Sequence, residues 1–217
     1  MSERRYTIEL TGITPLLMHR DNLDAQDAER ERGRDRDKGR AGDDRYPPDR
    51  WKSYVYADKT NVVIPADNLM ACLREAGKKL KDGRSTLKAV SQYAVFLPDA
   101  FTPILVGKRG TKVPATKVVK IAGPFEDQVK GASKLGFDLD VHRCRVQRAR
   151  HIRVRPRFDT WRLVFPATVT DEKLTEEQFK ALWSKAGDLV GLCDWRPGAP
   201  QPGSFGRFTT KIKKHRS

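Results

Sequence analysis

Seven arginines (Arg143, Arg145, Arg148, Arg150, Arg153, Arg155 and Arg157) lie between Asp140 and Asp159, with no carboxylate among them. Guanidiniums this close in sequence repel one another and work against a compact state. An anionic partner offsets that repulsion, because arginine offers phosphate a planar fork of donors and offers a base a flat stacking face. Arg153, Arg155 and Arg157 recur at every second position, with Ile152, Val154 and Pro156 between them. In an extended strand that spacing puts all three on one face. Such a row suits a polyanion, and nucleic acid is the leading partner. A solvated basic surface is the plain alternative.

A second chemistry-bearing stretch is GLCDWRPGAPQPGSFGRF, residues 191–208. Glycines at 191, 198, 203 and 206 lack a Cβ, so backbone amides there can approach a phosphate closely. The competing reading is a flexible connection. Trp195 and Arg196 sit mid-loop. An exposed Trp195 would stack on a base for roughly 1–3 kcal/mol, whereas a buried one is a core plug. The candidate contacts here are Gly191, Trp195, Arg196, Gly203, Gly206 and Arg207; Phe205 and Phe208 read as core. Lys108, Arg109 and Lys112, around Gly107 and Gly110, form a basic tip. Arg20 adds a cation after the first strand. His142 and His151, inside the arginine run, read as contacts or surface residues. The basic tail Lys211, Lys213, Lys214 and Arg216 suits loose, salt-sensitive phosphate contact.

Composition agrees. Forty-three basic and twenty-eight acidic residues give a net charge of +15, and the pI is near 9.9, the footprint of a nucleic-acid-binding domain. At 217 residues the chain buries a real core, and one domain with insertions is expected. No run is long enough to span a membrane, and the N-terminus lacks the apolar stretch of a signal peptide. Cys72, Cys144 and Cys193 are widely separated, without CxxC spacing, as expected for reduced thiols in the cytoplasm. No P-loop, GxSxG, HExxH or zinc-ligand spacing occurs, so no metal or cofactor is expected.

The elements that must position these residues follow from hydrophobic period. Residues 4–18 read as a first strand, with Tyr6, Ile8 and Leu10 alternating against Arg5, Thr7 and Glu9. Residues 21–50 hold ten acidic and eight basic side chains and one aliphatic anchor, Leu23. That composition predicts a mobile, charged insertion. Residues 61–65 read as a short strand leading to a helix with Leu69, Leu73, Ala76 and Leu80 on one face. Asp67 lies in its first turn and Gly83 stops it. Residues 86–97 fit helix or strand. Residues 98–140 read as a projecting basic lobe, with strand pieces at 103–106 and 117–122. Residues 151–158 and 161–169 read as two strands joined by a tight turn at Asp159–Thr160, where Phe158 and Trp161 could pair across strands. Thr175 and Gln178 have capping-box spacing ahead of an apolar stripe, Phe179, Leu182, Trp183, Ala186, Leu189 and Val190. A final strand closes the chain. Strand–helix in the first half and strand–helix–strand in the second predict an α+β fold. Its core would be ferredoxin-like, of RNA-recognition type: an antiparallel sheet with two helices and long insertions, in one domain over 1–217.

Three segments, TIELTGITPLLMHR, IPADNLMACLREAGK and the loop GLCDWRPGAPQPGSFGRF, together resemble the CRISPR-associated RAMP superfamily, in particular its backbone subunits. Pro197, Pro200 and Pro202 pad the loop beyond the family pattern. The resemblance implies a non-catalytic subunit that binds guide RNA, with a complementary target strand and other effector subunits as further partners. It would oligomerise along the RNA in antiviral defence and leave sequence reading to base pairing. It also implies two alternatives. His19 lies where some relatives carry a general base for metal-independent RNA cleavage, and Asp21 or Asp24 lies where others carry a cutting aspartate. An unguided single-strand-binding protein is a third reading.

Overall fold

The structure is a computed structural model that describes residues 3–20, 50–146 and 149–216, with side chains outside the description for 143–152. The expected charged insertion therefore lies outside the described residues, except for Arg50.

In chain order the elements are β1 (Arg4–Gly12), β2 (Leu16–Leu17), β3 (Val63–Pro65), α1 (Ala66–Gly77), β4 (Lys81–Asp82), β5 (Ser85–Thr86), α2 (Lys88–Tyr93), β6 (Val95–Phe96), β7 (Phe101–Pro103), β8 (Leu105–Val106), β9 (Thr111–Lys112), α3 (Ala115–Val119), α4 (Phe125–Lys134), β10 (Asp138–Val146), β11 (Ala149–Phe158), β12 (Trp161–Val169), α5 (Glu176–Lys185) and β13 (Phe208–Lys214). A 3-10 turn, Arg50–Tyr54, precedes β3, and a widened π turn, Ala186–Val190, extends α5.

The architecture is α+β with antiparallel sheets. The main sheet runs β13-β1-β12-β8-β9, and β6 pairs with the other end of β12. Ile8 sits between Phe165 of β12 and Ile212 of β13. The period-two pattern of β1 holds: Tyr6, Ile8 and Leu10 are buried while Arg5, Thr7 and Glu9 are not. On β12, Trp161, Leu163, Phe165, Ala167 and Val169 bury the same way. Helices α1 and α5 join this core through Leu69, Leu73 and Ala76 and through Phe179, Leu182 and Trp183. Tyr6 meets Phe179 at 4.9 Å between ring centres, and Phe165 meets Trp183 at 5.5 Å. The α5 capping box forms, with Thr175 Oγ1 accepting from the Gln178 amide. Helix α1 stops at Gly77, before Leu80 and Gly83. Gly83 instead takes a positive φ of 59° in the turn between β4 and β5.

Three expectations need correction. Residues 98–140 do not project as a separate lobe, since Ile104, Val106, Val113, Val118, Ile121, Ala132 and Phe137 all belong to the common core. Within that segment the expected strand at 117–122 is instead the end of helix α3, which begins after Pro114, and the irregular stretch that follows it. Residues 151–158 and 161–169 are strands, but they do not pair with each other. β11 pairs with β10 and β2 in a second sheet, while β12 lies in the main sheet. Asp159–Thr160 thus crosses between sheets. Phe158 packs on Phe137 at 5.3 Å and Trp161 on Phe208 at 6.1 Å, each in its own neighbourhood. No helix among the described residues is long and apolar enough to cross a membrane.

Candidate nucleic-acid interface

The candidate residues gather at one end of the main sheet, where β1 finishes and β12 and β13 begin. The loop 191–207 docks on the turn between β1 and β2. Gly206 N–H donates to the Pro15 carbonyl at 2.8 Å and Asp194 N–H to that of Leu17 at 2.9 Å. The Arg207 amide donates to Thr14 Oγ1 at 3.0 Å, and Trp161 Nε1 donates to the Thr14 carbonyl at 2.9 Å. The turn between β8 and β9 joins the same end, where Gly107 N–H donates to Thr160 Oγ1 at 3.3 Å. Lys108, Arg109 and Lys112 are exposed there, and Arg20 is exposed beside the base of the ribbon, its N–H bonded to the Tyr54 carbonyl.

The glycines of the loop serve packing. A Cβ on Gly206 would lie 2.0 Å from the Leu192 carbonyl oxygen, and one on Gly203 would lie 2.1 Å from that of Trp195. The amides of Gly191, Gly198, Gly203 and Gly206 donate to the carbonyls of Ala186, Val190, Arg196 and Pro15. These four N–H groups are therefore engaged inside the protein rather than directed to a phosphate. The loop also holds two non-glycine residues at positive φ, Cys193 at 62° and Trp195 at 49°. Such conformations cost energy and persist because the surroundings enforce them.

Strand β11 packs against this stretch of the loop at Asp194 and Trp195. Strands β10 and β11 form a two-stranded ribbon whose register sets Asp138 opposite Arg157, Asp140 opposite Arg155 and His142 opposite Arg153. This face lies under the loop. Arg155 is only 2% exposed, ion-paired through Nε to Asp194 Oδ2 at 3.2 Å, with its guanidinium 4.9 Å from the centre of the Trp195 ring. His142 meets the Trp195 ring edge-on at 4.7 Å and pairs with Asp140 through Nδ1. Phe205 lies 6.3 Å from both rings. The predicted base platform, Trp195, is thus occupied by the protein's own guanidinium and imidazole.

The three arginines expected on one strand face as a track for a polyanion are not all available to one. Arg153, Arg155 and Arg157 do share a face, but Arg155 is buried and Arg157 is held by three carboxylates, Asp159 at 2.8 Å, Asp138 at 3.3 Å and Asp140 at 3.6 Å. Burial works against the Arg157 charge, yet these aspartates outweigh it and raise its pKa. Arg153 stays half-buried beside Arg50, whose pKa falls chiefly through burial and further through the nearby Arg153 charge. The Arg143, Arg145, Arg148 and Arg150 side chains lie outside the description. In the backbone register Arg145 and Arg150 are directly opposite.

Asp194 is the hub that sequence spacing did not reveal. Its carboxylate meets His19 Nδ1 at 3.2 Å and Arg155 at 3.2 Å, and Oδ1 accepts from the Trp195 amide at 3.0 Å. Burial raises its pKa, but the His19 hydrogen bond and the Arg155 charge dominate and hold it below the ordinary carboxylate value. His19 is braced edge-on by Tyr54 at 4.4 Å. Beside it opens a cavity of about 260 Å³ between the loop and α1. Cys72 and Cys193 line it, and burial pushes both thiols up to about 12. Among the described residues, no group of three or more His, Cys, Asp or Glu side chains is placed to hold a metal ion. Asp21 and Asp24 lie outside the described residues. No protein-family model matches this chain, and no curated protein matches it.

Proposed function

We propose that this protein is a cytoplasmic RNA-binding subunit of a ribonucleoprotein, built like the backbone subunits of CRISPR-associated RAMP assemblies. The observation that carries the proposal is the β10–β11 ribbon. From Val141 to Arg153 its sequence contains no Asp or Glu, and among the described residues its strands, beyond Arg157 and Phe158, pair only with each other. Like charges crowded into one stretch work against a compact state, so a segment with seven arginines and no carboxylate between Asp140 and Asp159 gains from an anionic backbone laid along it. The main sheet supports the fold part of this reading. Its order of last, first, third and second strands, with α1 and α5 in the crossovers, is consistent with a ferredoxin-like core if β6 and β8 together count as the second strand. Guide RNA, a complementary target strand, further copies of this chain and other effector subunits are the proposed partners.

Binding of nucleic-acid-free protein to single-stranded RNA across a salt series tests this. Wild type should bind with a steep negative slope of log affinity on log salt. Arg143→Ala/Arg145→Ala/Arg150→Ala should flatten that slope by roughly 0.7 for each phosphate that is no longer neutralised. No binding at low ionic strength would end the proposal. Sequencing RNA that co-purifies separates a uniform guide from the random mixture of an unguided binder.

One observation favours a second reading, a metal-independent endoribonuclease. With Nδ1 held by Asp194, His19 is oriented at the mouth of a polar cavity, as a general base requires. Labelled RNA cut by wild type and left whole by His19→Ala would establish it; RNA left whole by both would remove it.

A further inference from the structure

We propose that the outer edge of β13 receives an extended, acidic peptide segment of a partner protein as an added strand. The inference goes beyond the RNA-binding reading and does not depend on it.

β13 lies at the end of the main sheet, with β1 as its single neighbour among the described residues. Main-chain groups in an antiparallel ladder alternate, one residue facing its neighbour and the next facing away. His215 N–H donates to the Arg5 carbonyl at 2.9 Å, so the main-chain groups of Lys213 and Lys211 also face β1. Thr210, Ile212 and Lys214 therefore turn their N–H and C=O groups outward. None of these groups has a backbone partner among the described residues. Phe208, the preceding outward residue, is covered, since a Cβ on Gly187 would lie 2.0 Å from its carbonyl oxygen. At the opposite edge β9 has only two residues, too few to template a strand.

Beside the open edge runs a groove of about 390 Å³, with Lys180, Ser184 and Asp188 on the helical side and Phe208, Thr210 and Ile212 on the strand side. An added strand puts every second side chain into this groove, against the half-buried Ile212. Its other side chains lie on the solvent face, beside Lys211 and Lys213. Both lysines are exposed, and the carboxylate opposite Lys211 in register, Glu9, is held by Arg162 at 3.3 Å. Opposite charges across strands attract and like charges repel. The edge therefore favours Asp or Glu in its partner and disfavours the lysine-rich β13 of a second copy. A phosphodiester backbone suits the lysines but offers acceptors only, whereas a peptide backbone also donates to the outward carbonyls.

The test titrates the full, nucleic-acid-free chain with two short peptides, one alternating glutamate with valine and one alternating lysine with valine. Two cross-strand charge pairs should make the glutamate peptide bind about tenfold tighter than the lysine peptide. Amide hydrogen exchange should slow at Thr210, Ile212 and Lys214, and methylating the peptide's backbone nitrogens should abolish binding. Lys211→Glu/Lys213→Glu should reverse the preference for charge; should that variant unfold, the methylated peptide decides. No binding of the glutamate peptide, equal affinity for both peptides, or binding that leaves those amides exchanging as before overturns the assignment. So does an unaltered preference in the folded double variant. Self-association that protects the same amides gives the edge to a second copy, and protection by oligouridylate alone gives it to RNA; either result also overturns the assignment.

Discussion

The two ends of the arginine ribbon carry the same residue type in opposite circumstances. At the base, Arg155 and Arg157 face Asp138, Asp140, Asp159 and Asp194, and one of them is as buried as a core leucine. Toward the far end, from Val141 to Arg153, the sequence offers no acid at all. Val141 there is already 52% exposed, whereas Leu139, two residues nearer the base, is 8% exposed. The base is therefore a structural anchor that clamps the loop 191–207, and the far end is the part proposed to meet a partner. At the base the guanidiniums of Arg155 and Arg157 stabilise the fold because carboxylates are paired to them.

The largest expected effect comes from breaking the anchor. Arg155→Ala removes a buried cation from Asp194 and from the Trp195 ring, and should cost about 3 kcal/mol in denaturant unfolding. A loss under about 1 kcal/mol would mean that base and far end do not differ as argued. The same pair predicts a pH dependence. Because the folded-state pKa of Asp194 is depressed, its contribution is present above the unfolded value of about 3.9 and is lost as pH falls through the folded value. Wild type should lose stability across that acid window more steeply than Asp194→Asn does.

The next effect sharpens the role of the loop. Gly206→Ala sets a Cβ against the Leu192 carbonyl at a φ of 71°, and should cost about 2 kcal/mol. A neutral result would return the loop to a flexible connection. Thr175→Ala removes the α5 cap, remote from the ribbon, and should cost about 1 kcal/mol. It serves as the control for ordinary loss of stability and should leave RNA affinity unaltered. The smallest change in stability belongs to the triple substitution of Arg143, Arg145 and Arg150 by alanine, expected within about 0.5 kcal/mol. A large destabilisation there would show that the far end is also a structural anchor.

Much of the local structure was readable from period alone. Tyr6, Ile8 and Leu10 alternate because one face of β1 is buried, and Leu69, Leu73 and Ala76 recur because one stripe of α1 is. The Thr175–Gln178 cap was legible because its two partners are three residues apart. Errors began where a partner was distant in sequence. Residues 98–140 looked polar and breakable, yet their scattered Ile104, Val113, Val118 and Ile121 are core, since short elements leave no periodic stripe long enough to read. The candidate site shows the same divide. Arg155 and Trp195 were both singled out, but nothing in their spacing says that one would lie over the other.

The residues alone determined a basic α+β chain with an arginine-rich strand, a first strand and two amphipathic helices, since charge count and hydrophobic period are local properties. Tertiary structure decided that Arg155 and Arg157 are neutralised, which strands pair and where Asp194 stands. Those outcomes depend on cross-strand register and loop docking. Both bring together groups from distant parts of the chain, and no sequence interval records that meeting.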